Sequence, residues 1–198
     1  MTEEKKPKGA HKSVDKWKKK KWFIMNAPKI FDGKVLGNCP AEKPKNVMGR
    51  TIKVTLDNLT GQRAMRDVAA YFKVFEVQGQ NANTKISCFE ANKGYMGRTI
   101  RRRTSKIALI EKIPVKGGDA RVTIVAISDG NCTKKQRTGV RKVIEEELKR
   151  ISGREKEFDD LVKEILFGQF NGAVFKRAKN ICTMRKIIAA KASFIEAK

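Results

Sequence analysis

The chain has 198 residues, with 45 Lys or Arg against 21 Asp or Glu, a formal net charge of +24 at pH 7. Its 40% hydrophobic content can bury a core, which excludes disorder of the whole. No segment approaches the roughly 18 uninterrupted apolar residues of a membrane helix, and Met1-Thr2-Glu3-Glu4-Lys5-Lys6 lacks a signal peptide's apolar core, so a soluble, non-exported protein with no membrane partner is expected.

Residues 1–14 set Lys5, Lys6, Lys8 and Lys12 beside Pro7 and Gly9 with almost no apolar side chains. Such a segment cannot offset its ordering entropy alone, so a basic tail, residues 1–21, is expected to be disordered until it meets a partner. From Trp17 to Phe31 apolar residues become dense, and Ala27-Pro28 interrupts any regular element. Asp32 to Asn46 holds Gly33, Gly37, Pro40 and Pro44 and reads as loop.

The period then changes to two. Thr51–Leu56 places Ile52, Val54 and Leu56 on one face of a half-buried strand. Tyr71–Val77 is a longer strand ended by Gly79, and Asn83–Phe89 is its partner. Lys106–Val115 and Arg121–Ser128 form a second pair joined by Lys116-Gly117-Gly118-Asp119. Between the pairs, Tyr95–Arg103 reads as a short basic helix, with Gly94 and Gly97 against it. Beyond Gly130 the period is helical: Val140, Val143, Ile144, Leu148 and Ile151 share a face, with Gly153 at the cap position. Phe158, Leu161, Val162, Ile165 and Leu166 repeat it up to Gly168. Ala173–Ile181 is a weaker third helix, and Met184–Ile195 closes the fold as a strand. The predicted class is α+β, one domain over 22–198, sheet-rich at 49–128 and helix-rich at 134–182, with the closing strand at 184–195.

Catalytic chemistry finds little support. No phosphate-binding Gly-rich loop is present, and the single histidine, His11, lies in the tail, so imidazole-based catalysis has no donor. Glu145-Glu146-Glu147 reads as a solvated face paired with Lys142, Lys149 and Arg150. Asp159-Asp160 reads as a favourable interaction with a helix dipole. Cys39, Cys88, Cys132 and Cys182 form no close pair and read as reduced, mostly buried thiols rather than a zinc site. No catalytic residue, metal, cofactor or small-molecule substrate is expected.

The basic residues are laid down in blocks. Lys16, Trp17, Lys18, Lys19, Lys20, Lys21 and Trp22 interleave lysines with indoles that can stack on unpaired bases, unless Trp22 and Phe23 merely anchor the tail. Arg98, Arg101, Arg102, Arg103 and Lys106 form a phosphate-clamp candidate, because guanidinium forks grip phosphate bidentately. Lys134, Lys135, Arg137 and Arg141 form a third block, and Lys176, Arg177, Lys179, Arg185, Lys186 and Lys191 a dispersed fourth. A chain this charged repels itself unless a polyanion neutralises it. Several separate blocks point to a large RNA touched on more than one side.

The ordered motifs resemble one family. Asp15-Lys16-Trp17, Lys21-Trp22-Phe23, Ala27-Pro28 and Phe31 open the match. It continues through Gly49–Leu56, Leu59-Thr60, Phe72-Lys73-Val74 and Val77–Asn81. Arg101–Ile107, Thr133–Gln136 and Arg141-Lys142 complete it. Together they resemble the archaeal and eukaryotic small-subunit ribosomal proteins called "S three a", or "S one e" in the unified naming, and the compact length looks archaeal. The segment Phe89–Gly97 departs from the family's more regular helix, and Ile181-Cys182-Thr183-Met184 stands where an Ile-Tyr-Pro-Leu-like turn is usual.

The resemblance implies a barrel-like, mostly antiparallel sheet body followed by packed helices. It also implies a structural role on the small-subunit platform near the messenger exit, with small-subunit rRNA and neighbouring small-subunit proteins as partners, in the cytoplasm. The alternative is a free-standing nucleic-acid binder such as a chromatin or RNA-chaperone factor. A third reading is a nucleic-acid enzyme whose Glu145 or Glu146 holds magnesium.

Overall fold

A computed structural model describes residues 17–152 and 157–196. The tail through Lys16 and the cap expected at Gly153 lie outside the described residues.

The chain begins with β1 (Lys21–Asn26) and β2 (Val35–Ala41), an antiparallel pair. β3 (Thr51–Thr55) runs into the short helix α1 (Leu56–Thr60), then β4 (Val68–Gln78) and β5 (Asn81–Ala91) form a long hairpin. Its tight turn needs Gly79, whose φ of +61° lies in the left-handed region. α2 (Lys93–Thr99) leads to a second hairpin, β6 (Lys106–Val115) and β7 (Gly118–Ser128). Gly117 at φ +88° makes that turn shorter than the four residues predicted. α3 (Lys134–Ile151), α4 (Phe158–Phe167) and α5 (Phe170–Lys179) follow, and β8 (Met184–Glu196) ends the fold.

The α+β class and the C-terminal helices are as expected, but an expected loop holds a strand, and the last strand, formed where expected, is interior. Asp32–Asn46 contains β2 rather than loop alone. Pro40 is tolerated there because β2 ends the pairing path and has β1 as its ladder partner. The last strand does not close an edge. β8 lies inside the sheet between β5 and β7, where Ile187, Ile188, Ala189, Ala190 and Ala192 are all buried. The eight strands run β2-β1-β5-β8-β7-β6, with β4 pairing β5 and β3 pairing β4. Every pairing is antiparallel except β1 with β5. The sheet is not closed, so the barrel-like expectation is corrected to an open, branched sheet.

The branch has a local cause. β4 occupies one edge of β5; β1 pairs with Asn81–Asn83 and β8 with Cys88–Glu90 on the other. Between them, among the described residues, Thr84–Ser87 have no strand partner on that edge, and the N-terminus of α4 enters the gap. Helices cover one face: Leu56, Ile144, Leu161, Ile165 and Val174 pack on Phe72, Phe89, Val122 and Ile124. On the other face, among the described residues, α2 covers only one end, where Tyr95, Met96 and Ile100 meet Val125, Ile127, Ile188 and Ala190.

Candidate nucleic-acid interface

Two of the predicted basic blocks meet at a buried pair of serines. Ser105 lies just before β6 and Ser128 ends β7; both are buried. The Ser105 N–H donates to the Ser128 hydroxyl at 2.9 Å, and the Ser128 N–H donates to the Ser105 carbonyl at 3.1 Å. The Ser105 hydroxyl accepts from the Cys132 N–H at 3.0 Å and from the Arg137 guanidinium at 3.3 Å. These bonds pin the arginine-bearing turn to the start of α3, so Arg101, Arg102, Arg103 and Lys106 share one end of the molecule with Lys134, Lys135 and Arg137. All of those cations are exposed.

The turn itself is not the predicted helix. α2 stops at Thr99 because Ile100 turns extended to pack against the sheet. The Thr104 hydroxyl donates to the Arg101 carbonyl at 2.7 Å, closing a tight loop in which Arg103 sits at φ +66°. The loop therefore does not set the three arginines on one helical face. Arg98, still on α2, is 3.4 Å from Asp67 in an exposed pair of little energetic weight. Lys186 joins the same end, its ammonium 5.0 Å from the centre of the Tyr95 ring.

α3 starts from a capping box, Thr133 accepting from the Gln136 N–H and the Gln136 side chain from the Thr133 N–H. Its first turn carries Lys134 and Lys135 and no acid. Cations at a helix N-terminus oppose the helix dipole, a cost that an incoming phosphate reverses. Arg141 lies further along α3 and is also exposed.

The Trp-Lys block forms a separate site. The Trp17 and Trp22 rings meet edge to face with centroids 6.5 Å apart, and the Lys20 ammonium lies 4.2 Å above Trp17. Both indoles are 58% exposed, whereas Phe23 is the residue that anchors β1. Lys18, Lys19, Lys20 and Lys21 are exposed; Lys16 lies outside the described residues. The Ile24 N–H donates to the Gln80 carbonyl, which fixes this block beside the start of β5. The arginine turn follows the end of β5. A strand of that length, 11 residues, separates the two sites by about 33 Å.

A model of the Ribosomal S3Ae family matches residues 8–198. The chain belongs to that family. It is 33% identical over 183 residues to the protein called small ribosomal subunit protein eS1 in Staphylothermus marinus, covering 91% of this chain and 85% of the relative. It is 35% identical over 184 residues to the protein of the same name in Sulfurisphaera tokodaii, covering 92% and 95%. The Sulfolobus acidocaldarius protein of that name is 32% identical over 185 residues, covering 92% and 93%.

Within this S3Ae chain the fourth basic block divides. Arg177 of α5 bonds Glu147 of α3 at 2.7 Å and also pairs with Glu146. Those carboxylates raise the arginine's already high pKa. Glu147 is buried, so the acidic run is an internal tether and not the wholly solvated face predicted. Lys149 pairs instead with Glu145.

Asp159 also departs from a simple dipole partner. Its carboxylate accepts a backbone hydrogen bond from Ile86 in the gap of the sheet, and burial pushes its pKa up to about 6. The thiols are free, with Cys39 buried and the others half-buried. Cys182 touches the Met184 sulfur at 3.5 Å, and burial, with help from the Cys132 thiol, raises its pKa to about 11. Among the described residues no group of three His, Cys, Asp or Glu side chains could hold a metal.

The sequence reading missed one set of cations. Lys53, Lys73, Lys85, Lys112 and Arg121 stand singly at outward positions of β3 to β7 and form no run. Their signal is parity: Lys53, Lys73 and Arg121 each stand between two apolar neighbours, and Lys85 and Lys112 each precede one.

Proposed function

We propose that this chain is a non-catalytic structural constituent of the small ribosomal subunit. It binds rRNA through Lys and Arg directed at phosphates, with little readout of bases. The observation that carries this reading is the meeting of the Arg98–Lys106 and Lys134–Arg141 blocks around Ser105, in a chain of the S3Ae family. Its seat is the platform near the messenger exit and the 3′ end of the small-subunit RNA, with neighbouring small-subunit proteins alongside, in the cytoplasm. The Trp17–Trp22 site, about 33 Å away, grips a second part of the same RNA. The location follows the family resemblance, and the phosphate role follows the charge and exposure of the two sites.

Hydroxyl-radical footprinting of small-subunit rRNA with the full chain and with R101A/R102A/R103A tests it. The proposal expects discrete backbone protections, one group of which disappears in the variant. Uniform, non-localised protection, or an unchanged footprint in the variant, would count against it.

A further inference from the structure

The face of the sheet left open by α2 carries its own pattern. Across β3-β4-β5-β8-β7-β6 one cross-strand row reads Lys53, Tyr71, Cys88, Ser193, Arg121, Lys112. At strand spacing that row spans about 24 Å. Lys112 stands directly opposite Arg121, and Lys73 directly opposite Lys85. Like charges facing each other across a ladder destabilise a sheet. Two such pairs on one face are offset when an anion lies over them.

The same face presents aromatic rings under the cations. The Lys53 ammonium lies 5.5 Å from the Tyr71 ring centre, and the Lys85 ammonium 4.7 Å from that of Phe75, which is 44% exposed. Where β5 and β8 splay apart, the face opens into a cleft of about 760 Å³. Lys73, Phe75, Lys85 and Lys116 line it, with Phe194, Asp159 and Glu157 also on its wall, the last 3.7 Å from the Lys116 ammonium. That volume is ample for one nucleobase with its sugar and lies in the range of small-molecule sites.

We infer that this open face binds a single-stranded stretch of RNA, with phosphates over the paired cations, bases against Tyr71 and Phe75, and one base in the cleft. The form of the nucleic acid follows from the chemistry. Accessible rings on a sheet face offer stacking surface that only unpaired bases can use. An acidic protein segment would satisfy the lysines and leave the rings without a role. The inference rests on the reading that the protein binds RNA, but uses a different surface and a different form of RNA from the Ser105 site.

The test is fluorescence anisotropy with the full chain, using a labelled ten-nucleotide single-stranded RNA and, separately, an RNA duplex. K73A/K85A and F75A should each weaken the single strand by at least about fivefold while leaving the duplex within about twofold. All these side chains are on the surface, so the melting temperatures of both variants, measured alongside, should stay close to that of the wild type. R101A/R102A/R103A should instead weaken duplex and rRNA binding. Single-strand affinity unchanged in both sheet variants would overturn the inference, as would an equal loss on the duplex. Displacement of the single strand by an equimolar poly-glutamate peptide would also overturn it and assign the face to an acidic protein. If the sheet variants are silent while the arginine variant still loses rRNA, the rRNA reading stands alone.

Discussion

The guanidinium of Arg137 donates to the Ser105 hydroxyl at 3.3 Å, joining the first turns of α3 to the loop that carries three consecutive arginines. Neither residue is notable in isolation. Their bond converts two basic stretches, about 30 residues apart in sequence, into one surface.

Ser105→Ala removes no charge, yet it should weaken RNA binding. The substitution leaves the Cys132 N–H and the Arg137 guanidinium without their acceptor, at about 1–2 kcal/mol of stability. A lower melting temperature together with a several-fold loss of rRNA affinity is the expected outcome. Full affinity in a destabilised variant would separate the serine node from the interface.

R101A/R102A/R103A should flatten the salt dependence of rRNA binding. Each lost phosphate contact lowers the slope of log affinity against log salt by about 0.7 to 0.9. Binding isotherms at a series of potassium concentrations measure it, and a slope equal to that of the wild type would place these arginines away from the backbone.

The extent to which this fold is legible in sequence varies with range. Strands β4 to β7 and helices α3 to α5 were readable from period and turn glycines, because their burial is set by neighbours close in sequence. The edge strand β2 was not, since Gly37 and Pro40 carry the composition of a loop and only pairing with β1 makes it a strand. The interior position of β8 was equally hidden, because insertion between β5 and β7 depends on pairings of residues far apart in sequence, from Ser128 with Met184 to Cys88 with Ser193. For the interface, runs of arginine and lysine announced the Ser105 end, but cations spread singly over five strands did not. Arg177 looked like one more surface cation until Glu147 was found buried beneath it.

Arg177→Met should lower the melting temperature by about 5 °C, because a buried carboxylate loses its partner. Adding Glu147→Met should recover most of that loss, since an apolar pair replaces an ionic one. Thermal denaturation of the single and double variants decides it, and additive losses would contradict the pairing.

Asp159 predicts a pH effect with a defined sign. Burial in the gap of the sheet raises its pKa from 3.8 to about 6. Between those values the folded state holds a proton that the unfolded state has released, so this group's contribution falls as pH rises through the window and stays low above it. Glu157 and Asp160 add to the upward shift and Lys85 opposes it. Asp159→Asn should therefore be more stable than wild type at pH 7.5 by about 1–2 kcal/mol, allowing for solvent screening. The difference should shrink below about pH 4. Melting curves from pH 4 to 8 test this, and a variant less stable at neutral pH would refute it.

The most direct measurement is sedimentation of native cell lysate through a sucrose gradient, with blotting for this protein at low and high salt. The account predicts co-migration with small ribosomal subunits that survives moderate salt and is lost as salt screens the phosphate contacts. Recovery in the light fractions alone, at low salt, would contradict a ribosomal constituent and favour a free-standing nucleic-acid binder.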